Sequence, residues 1–358
     1  MLPRVALTVL LLTASVALPA DDQEEKFAIP PRLVKLEMPS STLAKVVAQL
    51  SRQSGIPISL SNDKATAEPC EGIFNGKPFW FALEFTASQT GNRIVLSESG
   101  RKIALEPRGK SYEVSSVHGA FRIVARQVVG RFPLDTGTAF HEVHLDVHWE
   151  PRVTVFRLDS VPKITRATDD KGTALAVSAA GARSQPTGAL HNATVRLGGI
   201  TRDAKRIGTI EGNFTVTASE KMLAFAFDDL TKGKTAIVLP AKEKVSATLK
   251  RVEKDEKTWE FEIELNYPPN LPKFESFESW TNENRLRLVS PDAAKSFAPD
   301  DHEILTQGSK VVAVYRFKED AKRGLVHPAS KNWKLVYEAP SPPVEFAVPF
   351  ELKDIPLP

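Results

Sequence analysis

From about Ser111 onward the apolar residues of the chain recur at every second position, and this alternation limits the folds available more than any other feature. Phe121, Ile123 and Ala125 alternate with Arg122, Val124 and Arg126. Val143, Leu145, Val147 and Trp149 alternate with His144, Asp146 and His148. Trp259, Phe261, Ile263, Leu265 and Tyr267 alternate with Glu260, Glu262, Glu264 and Asn266. Side chains of a strand point to opposite faces in turn, so each segment predicts a half-buried strand with one wet face. Met222 to Phe227 is apolar on both faces and predicts a central strand. Glu243 to Val252, a polar turn at Lys254-Asp255-Glu256, and Lys257 to Tyr267 predict a hairpin. Further strands are expected at Lys310 to Phe317, Trp333 to Tyr337 and Glu345 to Leu352, separated by proline-rich breaks. Short strands without intervening helices predict antiparallel β-sandwiches. A stretch of about 250 residues fits two immunoglobulin-like units, residues 111–240 and 241–358, meeting near Leu239 to Lys242.

Residues 32–107 follow a different pattern. Arg32 to Met38 predicts a strand, and Ser40 or Ser41 an N-cap. A helix to about Ser54 would carry Leu43, Val46, Val47 and Leu50 on one face. Gly55 is placed to stop it, and Ile56 to Leu60 predicts the next strand. The pattern repeats after a strand near Cys70 to Phe74. Pro78 suits a first helical turn, the second helix carries Phe79, Ala82, Leu83 and Thr86, and Gly91 ends it before a strand at Arg93 to Leu96. At a shift of 36 positions, Gln53, Gly55, Ile58 and Leu60 match Gln89, Gly91, Ile94 and Leu96, as expected for a βαβ unit used twice. Ser99-Gly100-Arg101 then turns the chain into a last strand, Lys102 to Leu105.

The order β-α-β-β-α-β resembles the short N-terminal (STN-like) module of secretins and TonB-dependent receptors. The residues that carry the likeness are Leu33 to Leu36, the helix of Leu43, Val46, Val47 and Leu50, Gln53 to Ser59, Asn75 to Leu83 and Thr90 to Leu96. The resemblance covers roughly a fifth of the chain and implies a periplasmic interaction domain without catalytic residues. The aromatic run Phe79-Trp80-Phe81 departs from the usual second helix. The last residues, Val348 to Pro358, are similar to the closing strand of exported bacterial β-sandwich proteins that have no assigned activity.

The chain opens as a signal peptide would. Arg4 gives a short positive region, Val5 to Ala17 is uncharged and apolar, and small residues near Ala17 and Ala20 suit cleavage. The expected division is therefore a signal peptide at 1–20, a linker at 21–31 and the module at 32–107. The apolar run is too short for an ordinary spanning helix, and no later segment predicts a transmembrane segment in the mature chain. An exported protein, periplasmic or extracellular, is expected. Its one cysteine, Cys70, precludes an internal disulfide, so stability has to come from the core. The net charge of +3 is spread through mixed-sign segments such as Glu253 to Lys257, which argues against nucleic acid as a partner.

Candidate chemistry is sparse. His144, Asp146 and His148 share one strand face and are plausible metal ligands, although neighbours on a straight strand sit too far apart to chelate unaided. Phe274, Phe277 and Trp280, interleaved with Glu275 and Glu278, form a possible ligand contact for a sugar ring or peptide. Lys232-Gly233-Lys234-Thr235 lacks the upstream glycine of a phosphate loop, and no helix is expected after it. Asn192 and Asn213 open glycosylation sequons. No catalytic residues and no cofactor are expected. The leading expectation is a non-catalytic envelope binding or assembly protein whose partner is an envelope protein or a glycan. A carbohydrate-binding protein stands second, and a metal-dependent enzyme using His144, Asp146 and His148 third.

Overall fold

A computed structural model gives the fold and describes residues 27–61, 66–110, 112–178, 181–228, 230, 234–237, 244–269, 271, 284–306, 309–328 and 332–358. The expected signal peptide at 1–20 lies outside the described residues. The molecule is mostly β, arranged in several antiparallel sheets, with two helices among the described residues.

The N-terminal module runs β1 (Leu33–Thr42), α1 (Leu43–Ser54), β2 (Ile58–Leu60), β3 (Pro69–Pro78), α2 (Phe79–Gln89), β4 (Asn92–Ser97) and β5 (Lys102–Pro107). Both helices stand where the apolar spacing put them. Leu43, Val46, Val47 and Leu50 of α1 meet Phe79, Ala82 and Leu83 of α2 in one core. β1 continues through the expected cap serines, so Thr42 is the N-cap. Gly55 ends α1 at φ 72°, a left-handed conformation that glycine adopts without a Cβ penalty. β1 pairs antiparallel with β3, while β5 lies between β2, parallel to it, and β4, antiparallel.

The first sandwich consists of β6 (Val114–His118), β7 (Phe121–Arg131), β8 (Phe140–Trp149), β9 (Thr154–Asp159), β10 (Lys163–Asp169), β11 (Ala176–Ser178), β12 (Arg183–Ser184), β13 (Leu190–Gly198) and β14 (Arg206–Ser219). One sheet has the order β11-β13-β8-β7-β6 and the other β10-β14-β9-β12. Their inward residues, among them Val143, Leu145, Trp149, Phe214 and Val216, form a single core. Each fully buried aromatic or branched side chain there contributes about 1.5–3 kcal/mol.

The second sandwich is β15 (Met222–Phe227), β16 (Lys234–Ile237), β17 (Ser246–Asp255), β18 (Thr258–Asn266), β19 (Arg285–Val289), β20 (Ser296–Phe297), β21 (Asp301–Thr306), β22 (Lys310–Lys318) and β23 (Lys334–Pro340). Its sheets, β15-β23-β19-β20 and β16-β17-β18-β22-β21, enclose a core containing Phe225, Phe261, Ile263, Phe317 and Tyr337. On its outer face Glu260 meets Arg316, Glu262 meets Arg251, and Glu264 meets Lys250 and Lys310.

The last strand, β24 (Val344–Pro356), returns to the first sandwich. It pairs with β14 from Arg206↔Pro356 to Ala218↔Val344. The second sandwich is thus inserted into a long β14–β24 hairpin. The expected meeting point at Leu239 to Lys242 lies outside the described residues. The cores divide the chain between Ser219 and Met222 and again after Pro340, so a split into 111–240 and 241–358 does not follow them.

Two strand-level expectations change. Among the described residues Met222 to Phe227 is the edge of its sheet, with Ala224 and Ala226 exposed, because alanine is small enough to tolerate water. Arg122 and Val124, expected on a wet face, are buried at 1 % and 8 % exposure because the N-terminal module covers them.

Candidate functional site

The outer face of the sheet containing β7, β8 and β13 carries His144, Asp146 and His148 together with Arg122. Strand register sets them in rows: Arg122, His148 and Leu190; then Val124, Asp146 and Asn192; then Gln127, His144 and Thr194; then Val129, Glu142 and Arg196. His144, Asp146 and His148 do lie on one face, but each is engaged across the sheet by a different partner. His144 Nδ1 is 3.1 Å from Thr194 Oγ1. Asp146 accepts from Asn192 Nδ2 at 2.6 Å and from Arg126 Nη1 at 3.4 Å. His148 sits beneath the module. Among the described residues no group of three histidine, cysteine or acidic side chains gathers to hold a metal, so the expected ligand set is not brought together. The spacing of a straight strand is the physical reason.

The sequence reading missed a buried cluster at the junction of the module and the first sandwich. Arg122, from β7, donates from Nε to Glu84 of α2 at 2.7 Å and from Nη2 to Glu113 at 2.5 Å. Its Nη1 lies 3.3 Å from His148 Nδ1. A guanidinium has no acceptor, so Nδ1 must be the unprotonated nitrogen and the ring proton rests on Nε2. Burial first, and the Arg122 guanidinium second, push the His148 imidazole down to about 3. Trp80, one turn before Glu84 on α2, is fully buried. Its Nε1 donates to the Ala120 carbonyl at 3.0 Å, and its ring centroid is 6.2 Å from that of His148.

Two further struts hold the module. The Arg32 amide donates to Glu150 Oε1 at 2.9 Å, and Arg152 Nε donates to Glu150 Oε2 at 2.7 Å. Burial pushes the Glu150 carboxyl up, against the pull of Arg152. At the other end the Ala189 amide donates to the Ser99 carbonyl at 2.7 Å. Gly188 is required there, since a Cβ on it would stand 2.3 Å from that carbonyl oxygen. Between the struts lies a cleft of about 330 Å³ lined by Arg93, Leu96, Tyr112, Val124, Arg126 and Asp146. β4 borders it as an edge strand, with no partner on that side among the described residues.

About 100° around α2 from Trp80 and Glu84, the helix turns Phe81 and Phe85 to solvent. Phe85 meets the ring of Phe74 edge-on at 5.8 Å, and Lys77 Nζ lies 5.8 Å from the Phe81 ring centroid. A shallow groove beside Cys70 is lined by Ser41, Thr42, Lys45 and Gln89. Burial pushes the Cys70 thiol up, away from nucleophilic character.

Phe274, Phe277 and Trp280 lie outside the described residues, as do Lys232 and Gly233. Lys234 and Thr235 belong to strand β16, not to the start of a helix. No described helix is long and apolar enough to cross a membrane. Both ends of the Arg122 cluster carried a signal, though not a decisive one: an arginine in an alternating strand and the unusual aromatic start of α2.

No family model, no curated protein and no solved structure matches the chain.

Proposed function

We propose that the protein is an exported, non-catalytic component of the cell envelope in which the N-terminal module docks a protein partner. The two sandwiches, read as immunoglobulin-like units, serve as a spacer. The observation that supports this reading is the pair Phe81 and Phe85, one helical turn apart, exposed on a helix whose adjacent face is fastened to the first sandwich. An apolar pair on a rigid mount loses little conformational entropy when covered, which favours binding. Lys77, over the Phe81 ring, suits a partner segment that places an apolar side chain beside a carboxylate. The apolar, uncharged segment Val5 to Ala17 supports export.

The test is site-specific photo-crosslinking in the native cell, with a photoreactive phenylalanine at position 81 or 85 and, as control, at exposed Leu305 of the second sandwich. An adduct of defined mass from 81 and 85 but not from 305 is expected. Equal labelling at all three sites, or none at 81 and 85, ends the reading. N-terminal sequencing of the protein from the envelope fraction tests export separately.

A further inference from the structure

His148 is the only described histidine whose ring is both almost fully buried and in contact with a permanent cation. The charged groups facing it come from every element packed around it. β7 supplies Arg122 and, farther along, Arg126. β8 supplies Asp146 on one side, and Glu150, just after its end, lies on the other. α2 supplies Glu84, and the segment before β6 supplies Glu113. β13 contributes the apolar Leu190, the Trp80 ring stands 6.2 Å from the imidazole, and Arg93 of β4 lines the same cleft as His148. Both carboxylates are spent on the guanidinium, at Nε and Nη2, so the imidazole meets the cation and not its counterions.

We propose that this junction is an acid-sensitive latch: a proton on His148 Nδ1 removes the acceptor that Arg122 uses, sets two cations side by side in a buried site, and releases the N-terminal module from the first sandwich. A released module swings its Trp80 and Glu84 face into solvent and bares the strip from Arg122 to His148. This goes beyond partner docking and holds whatever the partner is.

The sign follows from linkage. The imidazole is held down to about 3 while docked, whereas a solvated histidine titrates near ~6.5. Docking is therefore at full strength above the solvated value and weakens as pH falls from there toward 3. The limit is about tenfold per pH unit, about thirtyfold at pH 5 relative to the high-pH plateau. Carboxylates of ordinary pKa stay ionised above pH 5. Glu150, pushed up by burial, is the exception, and a proton it takes up while docked opposes the latch.

The test uses the full chain and amide exchange followed by NMR from pH 7.5 to 5, corrected for the intrinsic exchange rate. The reporters are the Ala189 amide, which bonds Ser99 across the junction, and the Trp80 indole N–H, which bonds Ala120. Ile263 in the second sandwich and Val147 in the first are references. The expected result is a loss of reporter protection approaching thirtyfold by pH 5, with both references unchanged. In H148N, whose amide oxygen replaces Nδ1 as a non-titrating acceptor, the loss is expected to vanish. A flat wild-type profile, the same loss in H148N, or loss at Val147 in step with the reporters overturns the latch. Should H148N fail to fold, ring chemical shifts of His148 in the wild-type chain decide: titration near 6.5 without loss of the reporters overturns it, and titration concurrent with their loss supports it.

Discussion

Ser219 and Ser341, 122 positions apart in sequence, share a buried hydroxyl–hydroxyl hydrogen bond of 3.0 Å. The bond joins the two chain crossings between the sandwiches. Beside it the Ser341 amide donates to the Lys221 carbonyl at 2.8 Å, and Tyr267 donates its hydroxyl to the Pro340 carbonyl at 2.9 Å. The inserted unit thus leaves and re-enters its host at one point. Ala218 and Val344 remain in register as a cross-strand pair.

Excising residues 221–340 and joining Glu220 to Ser341 through an Asn-Gly turn should therefore yield a folded first sandwich with its module attached, since the remaining strands keep their ladder. The expected outcome is a cooperative unfolding transition and the dispersed amide spectrum of a β protein. The exposed ring of Phe156, which belongs to the core of the excised unit, should be the main cost, and Phe156→Thr should improve solubility.

Arg122 is almost wholly buried with two carboxylates on it. Arg122→Met leaves Glu84 and Glu113 facing each other without a cation, and a loss of about 3–5 kcal/mol is expected in chemical denaturation. The triple variant Arg122→Met, Glu84→Gln, Glu113→Gln should recover much of that loss, because no uncompensated charge remains.

Gly208 lies on β14 where the register to β10 shifts, and a Cβ there would stand 2.3 Å from the Asp169 carbonyl oxygen. Gly208→Ala should cost at least about 1–3 kcal/mol by forcing the strands apart. Gly198→Ala, where the nearest contact would be an ordinary 3.7 Å, should leave the thermal midpoint unchanged or slightly raised.

Glu319 accepts from the Trp259 indole at 2.8 Å and from Lys254 at 3.0 Å, and these donors hold its carboxyl down to about 2. A depressed carboxyl adds stability that is fully present above about 4.5 and fades as pH falls toward 2. Acid titration of the second sandwich should show this slope, of at most one proton, and Glu319→Gln should flatten it. Equal slopes in the two proteins would refute the assignment.

Zinc at stoichiometric levels should leave the thermal midpoint of the tag-free protein unchanged, since His144, Asp146 and His148 each have a separate cross-strand partner. A rise with added metal would show that the strand bends to gather them.

How much of this was legible follows from the range over which each signal acts. The alternation around Val143 and Phe261 is local and reported its own strands. The helix stop at Gly55 was equally local. The same alternation puts His144, Asp146 and His148 on one face, as the structure does, but it carries no information about what covers that face, so by sequence alone Arg122 belongs to a wet face. The strand of Met222 to Phe227 misled because Ala224 and Ala226 count as apolar while sitting comfortably in water. Insertion of one sandwich into another was invisible, since it depends on β14 and β24 finding each other across the whole second unit. Their ladder has no local mark beyond Pro349 and Pro356 of β24, which suit an edge strand.

The β14–β24 ladder also imposes an order of events on a chain made from one end. A ribosome releases β14 long before β24, so the first sheet must wait, one flank bare of hydrogen-bond partners, until the entire second unit has emerged. Translocation as an unfolded thread would prolong that wait. An open flank is where neighbouring chains add themselves, so truncation before Val344 should drive the protein into aggregates, even though no residue of the second core has been touched.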